Sequence, residues 1–232
     1  MVNIHGLNKT TLLDYPEHVA ATIFLGGCNF RCPFCQNGDL VLRPERQPVI
    51  AQKEVLGFLK KRRGLLTGVC ITGGEPTLAE GLADFIKEIK ELGYLVKLDT
   101  NGYKPEAVRR LAEGKLLDYI AMDIKNSMRR YGETVGAAWV DTGRIKESIR
   151  LIMESGIEYE FRTTVVRELH GKEELSAIGK EIKGAEKYFL QSYREETGVI
   201  VKGYHAYGRE ELEQLAECVR PYVKGVWVRG VE

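Results

Sequence analysis

Apolar and polar positions alternate along the chain in blocks that predict β-strands and α-helices in turn. Short runs rich in β-branched and aromatic residues predict strands. The longer runs between them carry apolar residues every three or four positions, as amphipathic helices do. The predicted strands are residues 19–25, 69–72, 94–98, 119–124, 158–166, 187–190 and 225–228. The predicted helices are residues 52–63, 79–92, 105–113, 142–155, 172–183 and 209–219. The chain is therefore predicted to belong to the α/β class.

The order of these elements predicts a parallel sheet. Alternating strands and helices favour parallel strands joined by crossover helices. About six strand–helix units can be counted, fewer than the eight of a full TIM barrel. Glycine, which readily adopts the left-handed backbone that ends a helix, follows five of the predicted helices, at Gly64, Gly93, Gly114, Gly156 and Gly184. We expect each of these helices to stop at its glycine.

Composition indicates one globular domain. The chain has 232 residues, of which 44% are hydrophobic and 29% charged, as in ordinary folded, soluble proteins. We expect one domain over residues 1–232, with its core at about 19–191 and a C-terminal helix and strand within 205–230. Residues 1–18 are expected to close one end of the fold or to lie beside the segment that follows the first predicted strand.

Charge and hydropathy narrow the choice of partners. A formal net charge of +1 gives no basis for binding nucleic acid or an anionic membrane. The sequence has neither a run of about 18 apolar residues nor the pattern of a signal peptide. The chain has five cysteines, three of them clustered. This pattern favours metal-binding thiols in a reducing compartment over disulfide bonds. The expected location is the cytoplasm.

Three cysteines, Cys28, Cys32 and Cys35, follow the first predicted strand on one short loop. Three thiolates can hold three corners of an iron–sulfur cube, and the fourth iron then stays open for a substrate. A structural zinc site is the alternative, with a histidine as the fourth ligand. His5 is either a ligand or a solvent-facing or packed side chain. Cys70 and Cys218 lie in predicted apolar surroundings and are expected to serve in packing only.

Polar residues and a glycine pair stand at the ends of the next predicted strands, and Arg162 is carried by the strand at 158–166. Because ligands bind beyond the carboxyl ends of parallel strands, we expect these residues to meet at one rim. A charged cofactor with several parts requires such a set, although salt bridges and tight turns would also explain individual members. The residues are Gly73, Gly74, Glu75, Asp99, Thr100, Asn101, Asp123, Lys125, Arg162 and Gln191.

The sequence Cys28-x-x-x-Cys32-x-Phe34-Cys35, followed by Gly73-Gly74-Glu75-Pro76, resembles the signature of the radical S-adenosylmethionine (SAM) enzymes. The resemblance implies a partial, open TIM-type barrel with parallel strands. It also implies a 4Fe-4S cluster held by the three cysteines, whose open iron is chelated by SAM. In that family the reduced cluster cleaves SAM, and the resulting 5′-deoxyadenosyl radical removes a hydrogen atom from the substrate.

The same resemblance implies roles for the rim residues. Gly73, Gly74 and Glu75 would hold the methionine amino group, and the backbone of Phe34 would lie near the adenine. Arg162 either faces the pocket or binds a helix carboxylate, and the same alternatives hold for Gln191. The glycine-rich adenine motif of the family is not visible in residues 161–166. The methionine and ribose would be surrounded by Asp99, Thr100, Asn101, Asp123 and Lys125. Lys125 would neutralise the SAM carboxylate, and the two aspartates would offset the sulfonium or hold a monovalent cation.

Within this family the chain most resembles the anaerobic ribonucleoside-triphosphate reductase activating proteins. The resemblance rests on residues 9–16, Cys35-Gln36-Asn37, residues 123–125 and residues 159–164. It implies that the enzyme abstracts hydrogen from a glycine Cα of a large partner, leaving a glycyl radical, and that ferredoxin or flavodoxin supplies the electron. No acid–base residue of the protein is expected to take part.

Other readings stay open on the sequence alone. A pyruvate formate-lyase-type activase is one, although Asp14-Tyr15-Pro16 stands where those enzymes carry an Asp-Gly-Pro-Gly element. A radical SAM enzyme with a small-molecule substrate, such as a deazaguanine synthase, shares the glycine–glutamate motif. An iron–sulfur electron carrier without catalytic activity and a zinc-structured scaffold complete the alternatives.

Overall fold

The alternation of strands and helices is present in the structure, a computed structural model that describes residues 2–195 and 198–231. The strands are β1 (Ile4–Thr11), β2 (Ala20–Leu25), β3 (Gly68–Gly73), β4 (Leu95–Thr100), β5 (Tyr119–Asp123), β6 (Glu158–Val165), β7 (Lys187–Ser192) and β8 (Gly225–Arg229). The helices are α1 (Gly38–Leu42), α2 (Gln52–Lys61), α3 (Leu82–Glu91), α4 (Pro105–Glu113), α5 (Tyr131–Val135), α6 (Thr142–Glu154), α7 (Lys172–Glu181) and α8 (Arg209–Glu217).

The strands form one sheet in simple chain order, from β1 to β8. Each strand from β3 onward pairs in parallel with the strand before it, whereas β1 pairs antiparallel with β2. Within the described residues β1 and β8 do not pair, so the curved sheet stays open along that side. The predicted partial, open barrel of parallel strands is thus confirmed.

The N-terminal strand β1 was not expected. Its middle residues are exposed, so its sequence lacks the clear apolar alternation that predicts a strand. Residues 1–18 were expected either to close one end of the fold or to lie beside the cysteine loop, and the segment has contacts of both kinds. Ile4 pairs with Leu25, next to the cysteine loop. At the opposite end Tyr15 is 3% exposed and packs 5.9 Å from the Tyr119 ring, which closes the amino-terminal end of the barrel.

The main core lies between the sheet and the helices. Outward-facing residues such as Ile71 and Leu98 are fully buried in the same apolar cluster as Leu59 and Phe85 of the helices. Burying one such side chain stabilises the fold by about 1.5–3 kcal/mol. Several of the inward-facing positions, one residue along each strand, are polar instead. They include Thr22, Cys70, Lys97 and Glu160, all of which are buried.

Four of the five predicted helix-ending glycines adopt the left-handed backbone, with φ between 73° and 91°. They are Gly64, Gly93, Gly156 and Gly184. At Gly114 the helix ends as predicted, but the glycine itself is not left-handed, since its φ is −71°. There the neighbouring Lys115 takes the left-handed conformation, with φ 53°. The chain reverses one residue later than the glycine suggests.

Among the helices that the structure describes, none combines the length and apolar character that crossing a bilayer requires.

Candidate functional site

The cysteine loop leaves the carboxyl end of β2 and brings three thiols into one cavity. Cys28, Cys32 and Cys35 all line a cavity of about 270 Å³, and none is in a disulfide. The loop is held by its own backbone: the amide of Cys35 donates to the carbonyl of Cys32 at 3.0 Å. The Arg31 guanidinium donates to the carbonyl of Cys28 at 2.6 Å. The thiols therefore sit on a short, internally braced turn.

Burial controls the protonation of these thiols. It raises the pKa of Cys28 to about 11 and that of Cys32 to about 12. Burial raises the pKa of Cys35 as well, and the charge of Lys125 opposes the rise at Cys32 and Cys35. Metal ligation requires thiolates, so binding at this site displaces protons.

The donor set fits an iron–sulfur cluster. Three free thiols face one cavity, and three thiolates can hold three corners of an iron–sulfur cube. Among the residues that the structure describes, no three His, Cys, Asp or Glu side chains lie close enough together to bind a single metal ion. His5 is not part of the cavity lining. Its Nδ1 lies 3.0 Å from the carbonyl of Pro48, so of the two readings it is the packed histidine.

Gly73 and Gly74 line the cavity where β3 runs against the cysteine loop. A Cβ on Gly73 would lie 2.2 Å from the carbonyl oxygen of Leu25, and one on Gly74 would lie 2.0 Å from that of Gly27. Both contacts are with backbone, which cannot move aside. The amide of Gly74 donates to Leu25 at 2.9 Å. The glycine pair thus lets β3 approach the cysteine loop closely.

Glu75 lies directly behind the cavity wall. It is 1% exposed and is not among the cavity-lining residues. Its Oε1 accepts hydrogen bonds from the amide and the hydroxyl of Thr77, at 3.0 and 2.5 Å, and from the hydroxyl of Thr100 at 2.7 Å. Its Oε2 accepts from the amide of Asn101 at 2.6 Å. A buried carboxylate requires hydrogen-bond donors, and the protein supplies them. Because two of these donors belong to the end of β4 and the turn after it, Glu75 holds that turn in position.

An ion-pair ladder of alternating charge crosses β4, β5 and β6 at the cavity wall. Arg162 Nη2 lies 3.1 Å from Asp99, and its Nε donates to Asp123 at 2.5 Å. Lys125 extends the ladder from Asp123 at 3.0 Å, and the buried Lys97 pairs with Asp99 at the other end. Three cations and two carboxylates leave the ladder with one net positive charge.

The ladder sets the charge state of its members. Burial favours the neutral acid at Asp123, but the charges of Arg162 and Lys125 hold the pKa of that carboxyl well below its usual range. Burial opposes the charged form of Lys125, yet Asp123 and the Cys32 thiol raise the pKa of Lys125 above its usual range. All five side chains of the ladder therefore stay charged at neutral pH.

The structure brings together all the predicted site residues except Glu75. The residues at this cavity are Cys28, Cys32, Cys35, Phe34, Gly73, Gly74, Asp99, Thr100, Asn101, Asp123, Lys125, Arg162 and Gln191. Arg162 faces the cavity rather than a helix carboxylate, and the Asp123–Lys125 pair is indeed a salt bridge. The Phe34 ring is buried against the rings of His170, Tyr193 and Tyr204.

Several contributors were missed from the sequence. Thr72, Thr164, Asn37 and Phe30 also line the cavity, and the first two could have been found from their places at strand ends. Lys97 gives no such signal, because a lysine inside a predicted strand looks like a surface residue. Cys70, expected to serve in packing alone, is fully buried with its sulfur 3.8 Å from the Lys97 Nζ.

The structure combines a partly open parallel barrel with three cysteine thiols on the loop after the first parallel strand. This combination is typical of one class of iron–sulfur enzymes. The chain belongs to the Radical SAM superfamily, whose family model matches residues 22–182. Membership makes the protein a radical SAM enzyme and implies a 4Fe-4S cluster and SAM as its cofactors.

Curated relatives narrow the comparison. A protein of Methanocaldococcus jannaschii named "Putative glycyl-radical enzyme activating enzyme" is 30% identical over 236 residues, covering 98% of this chain and 96% of its own length. A 7-carboxy-7-deazaguanine synthase of Thermococcus kodakarensis is 27% identical over 161 residues, covering 61% of this chain and 62% of its own.

Solved structures agree on the fold. SuiB of Streptococcus suis matches with a TM-score of 0.68 at 20% identity, over 88% of this chain and 47% of SuiB. A TYW1 structure matches with a TM-score of 0.62 at 14% identity, over 87% of this chain and 73% of its own. This chain thus spans about half the length of SuiB. At these identities the likeness concerns the fold alone.

Proposed function

We propose that this radical SAM enzyme is an activase that generates a glycyl radical on a partner enzyme, and that the partner is anaerobic ribonucleotide reductase. The observation that carries the activase assignment is the alignment with the M. jannaschii activating-enzyme relative over 98% of this chain and 96% of the relative. A second M. jannaschii protein of the same name aligns over 51% of the chain at 30% identity. The choice of reductase rests on the sequence resemblance described above.

The residues around the cavity suit the two cofactors. Cys28, Cys32 and Cys35 would hold three irons of the cluster, leaving one iron for SAM. When bound, the cluster and SAM supply the one-electron chemistry that prepares hydrogen abstraction. Lys125 and Arg162, on a ladder with net positive charge, would meet the SAM carboxylate.

The remaining wall would orient the rest of SAM. The close-packed backbone of Gly73 and Gly74 would face the methionine amino group, with Glu75 holding that region from below. The Phe34 backbone would lie near the adenine, and Gln191 would complete the rim. Asp99, Thr100, Asn101 and Asp123 would surround the methionine and ribose. The protein's part is then to bind, orient and keep water away.

Two further partners belong to this proposal. Ferredoxin or flavodoxin would donate the electron. A monovalent cation beside Asp99 or Asp123 stays a prediction, and both carboxylates are already paired with cations of the chain.

The test combines SAM cleavage with radical transfer. The anaerobically reconstituted protein is incubated with SAM, dithionite and, in separate reactions, anaerobic ribonucleotide reductase or pyruvate formate-lyase from the same organism. We expect 5′-deoxyadenosine and a glycyl radical on the reductase, detected by electron paramagnetic resonance. Cys32→Ala should abolish both, because the cluster loses a ligand. If 5′-deoxyadenosine forms but neither this reductase nor pyruvate formate-lyase acquires the radical, the activase proposal fails.

A second candidate is a small-molecule radical SAM enzyme. The observation that favours it is the 27% identity to 7-carboxy-7-deazaguanine synthase over 161 residues. The same incubation with the substrate of that synthase in place of the reductase separates the two. Conversion of that substrate, with no radical on either partner enzyme, would replace the activase proposal by this one.

A further inference from the structure

Lys97 is a buried lysine that lies behind the wall of the cavity. Its side chain projects from β4, is 3% exposed and is not among the cavity-lining residues. Lysine is almost never fully buried unless it is paired, because removing an ammonium group from water is costly. Burial opposes the charged form of Lys97, yet Asp99 raises the pKa of this ammonium group above its usual range. The protein therefore keeps a positive charge where an apolar side chain would cost less.

Each carboxylate of the ion-pair ladder divides its two oxygens between two cations. Asp99 pairs through Oδ1 with Lys97 and through Oδ2 with Arg162, the latter at 3.1 Å. Asp123 pairs through Oδ1 with Arg162 at 2.5 Å and through Oδ2 with Lys125 at 3.0 Å. Lys97 thus balances Asp99 from behind the wall. Only Asp123 remains to balance the two cations that line the cavity, so the cavity side keeps one positive charge.

Two buried neighbours of the ladder do not cancel this charge. Sγ of Cys70 lies 3.8 Å from Nζ of Lys97, but burial raises the pKa of the Cys70 thiol, so the thiol is neutral at neutral pH. Glu160 lies on β6 two residues before Arg162. Its carboxylate accepts two hydrogen bonds from Arg229, at 2.8 and 2.9 Å, so this pair is neutral as a whole. The positive charge of the ladder is therefore available to an anionic group in the cavity.

We propose that Lys97 is a positioning residue: by balancing Asp99 from behind, it leaves Arg162 and Lys125 with the positive charge that a ligand carboxylate requires. Hydrogen bonds between a cation and a carboxylate are about twice as strong as those between neutral groups. The proposal rests on that part of the proposed function which places the SAM carboxylate at these two cations. It involves no partner enzyme, so it can fail while the activase assignment stands.

The test compares SAM with decarboxylated SAM, a probe that differs from SAM only in lacking the carboxylate. Affinities are measured by equilibrium dialysis on the reconstituted protein, with the cluster kept oxidised so that no SAM is cleaved. Lys97→Met keeps the length of the side chain and removes its charge, so it should weaken SAM binding by roughly tenfold. The affinity for decarboxylated SAM should not fall, because the lost charge has no carboxylate to attract.

The matched control is Lys90→Met. Nζ of Lys90 pairs with Asp118 at 2.6 Å just before β5, at the amino-terminal end of the strands, and this variant should bind both probes normally. Equal losses of affinity for the two probes in Lys97→Met would indicate a structural role alone and would overturn the proposal, as would unchanged SAM binding.

Lys97→Gln decides if the methionine variant does not bind iron. The glutamine amide can still donate a hydrogen bond to Asp99, whereas the positive charge is gone. Its preference for SAM over decarboxylated SAM should be roughly tenfold smaller than that of the unsubstituted protein. Full iron loading with an unaltered preference would exclude a role for the Lys97 charge.

Discussion

At the scale of single residues, the Glu75 carboxylate supports more of the local backbone than its place in a ligand-binding motif suggests. Its oxygens accept four hydrogen bonds from Thr77, Thr100 and Asn101. Burial raises the pKa of Glu75 and these donors oppose the rise. The turn after β4 therefore depends on a carboxylate rather than on an amide of the same shape.

Glu75→Gln tests this dependence. Glutamine replaces one acceptor by an NH₂ group that would face existing donors, so a buried group loses its partner. We expect the free energy of unfolding to fall by about 1–3 kcal/mol, measured by urea denaturation. Glu80→Gln, at an exposed position in the same segment, should change it by no more than about 0.5 kcal/mol. Equal stability of the two variants would contradict the role of Glu75.

His170 makes stability depend on pH. Burial lowers the pKa of His170. Its Nδ1 accepts from the amide of Val166 at 3.1 Å, while its Nε2 donates to the carbonyl of Lys125 at 2.8 Å, so the neutral ring is the form that fits. In the unfolded chain the ring takes up a proton below about pH 6.5. There the unfolded state binds more protons, so stability rises with pH and falls as pH drops below about 6.5.

The pH dependence is checked with urea denaturation at pH 5 and pH 7.5. We expect lower stability at pH 5 in the unsubstituted protein and a smaller difference between the two pH values in His170→Gln. The Gln variant removes the titrating group, whatever its effect on absolute stability. An unaltered pH difference in that variant would show that other groups cause it.

At the scale of elements, the close approach of β3 to the cysteine loop depends on glycine. Gly74→Ala would place a Cβ 2.0 Å from the Gly27 carbonyl, so the loop must shift. We expect a loss of about 1–3 kcal/mol, as for overpacking elsewhere, together with reduced iron binding. Denaturation and iron analysis measure the two effects.

The matched control for this variant is Gly57→Ala. Gly57 lies within α2, and a Cβ there would meet nothing within 4 Å. Removing a helical glycine should stabilise the protein by about 0.5–1 kcal/mol without affecting iron binding. Similar behaviour of the two alanine variants would refute the steric argument for Gly74.

The elements that bury a regular apolar face were predictable, whereas the contacts across the site were not. The strand at residues 69–72 appears as β3, a continuous buried run, and the helix at 142–155 appears as α6, whose buried residues are spaced three or four apart. β1 escaped prediction because its middle is exposed and its pairing with β2 is what makes it a strand. The buried positions of Glu75 and Lys97 depend on residues far along the chain, which a local pattern does not contain.

At the scale of the whole molecule, the side left open between β1 and β8 exposes part of the barrel interior. Trp227 of β8 pairs in register with Phe189, and Phe189 with Arg162 of the cavity, so the three share one inward-facing row. The Trp227 and Phe189 rings stack at 5.1 Å, and Arg229 lies over Phe189 while pairing with the buried Glu160. Trp227 is nevertheless 47% exposed. This rigid aromatic surface suits contact with the partner protein of the proposed reaction.

Trp227→Ala is therefore expected to raise the KM for the partner enzyme by roughly tenfold, the effect of losing an aromatic anchor. The KM for SAM should stay unchanged, because Trp227 is outside the cavity lining. Leu65→Ala, at an exposed apolar residue just before β3 and hence at the other end of the strands, is the control and should alter neither value. A normal KM for the partner in the Trp227 variant would exclude this surface.

The ion-pair ladder has a consequence for electron transfer. Asp99, Arg162 and Asp123 are each held by oppositely charged neighbours on two sides. Such groups have little freedom to rotate when an electron arrives and changes the charge beside them. Dipoles fixed in advance contribute little outer-sphere reorganisation energy. The fixed charges of the cavity wall should therefore lower the activation barrier for electron transfer into the site.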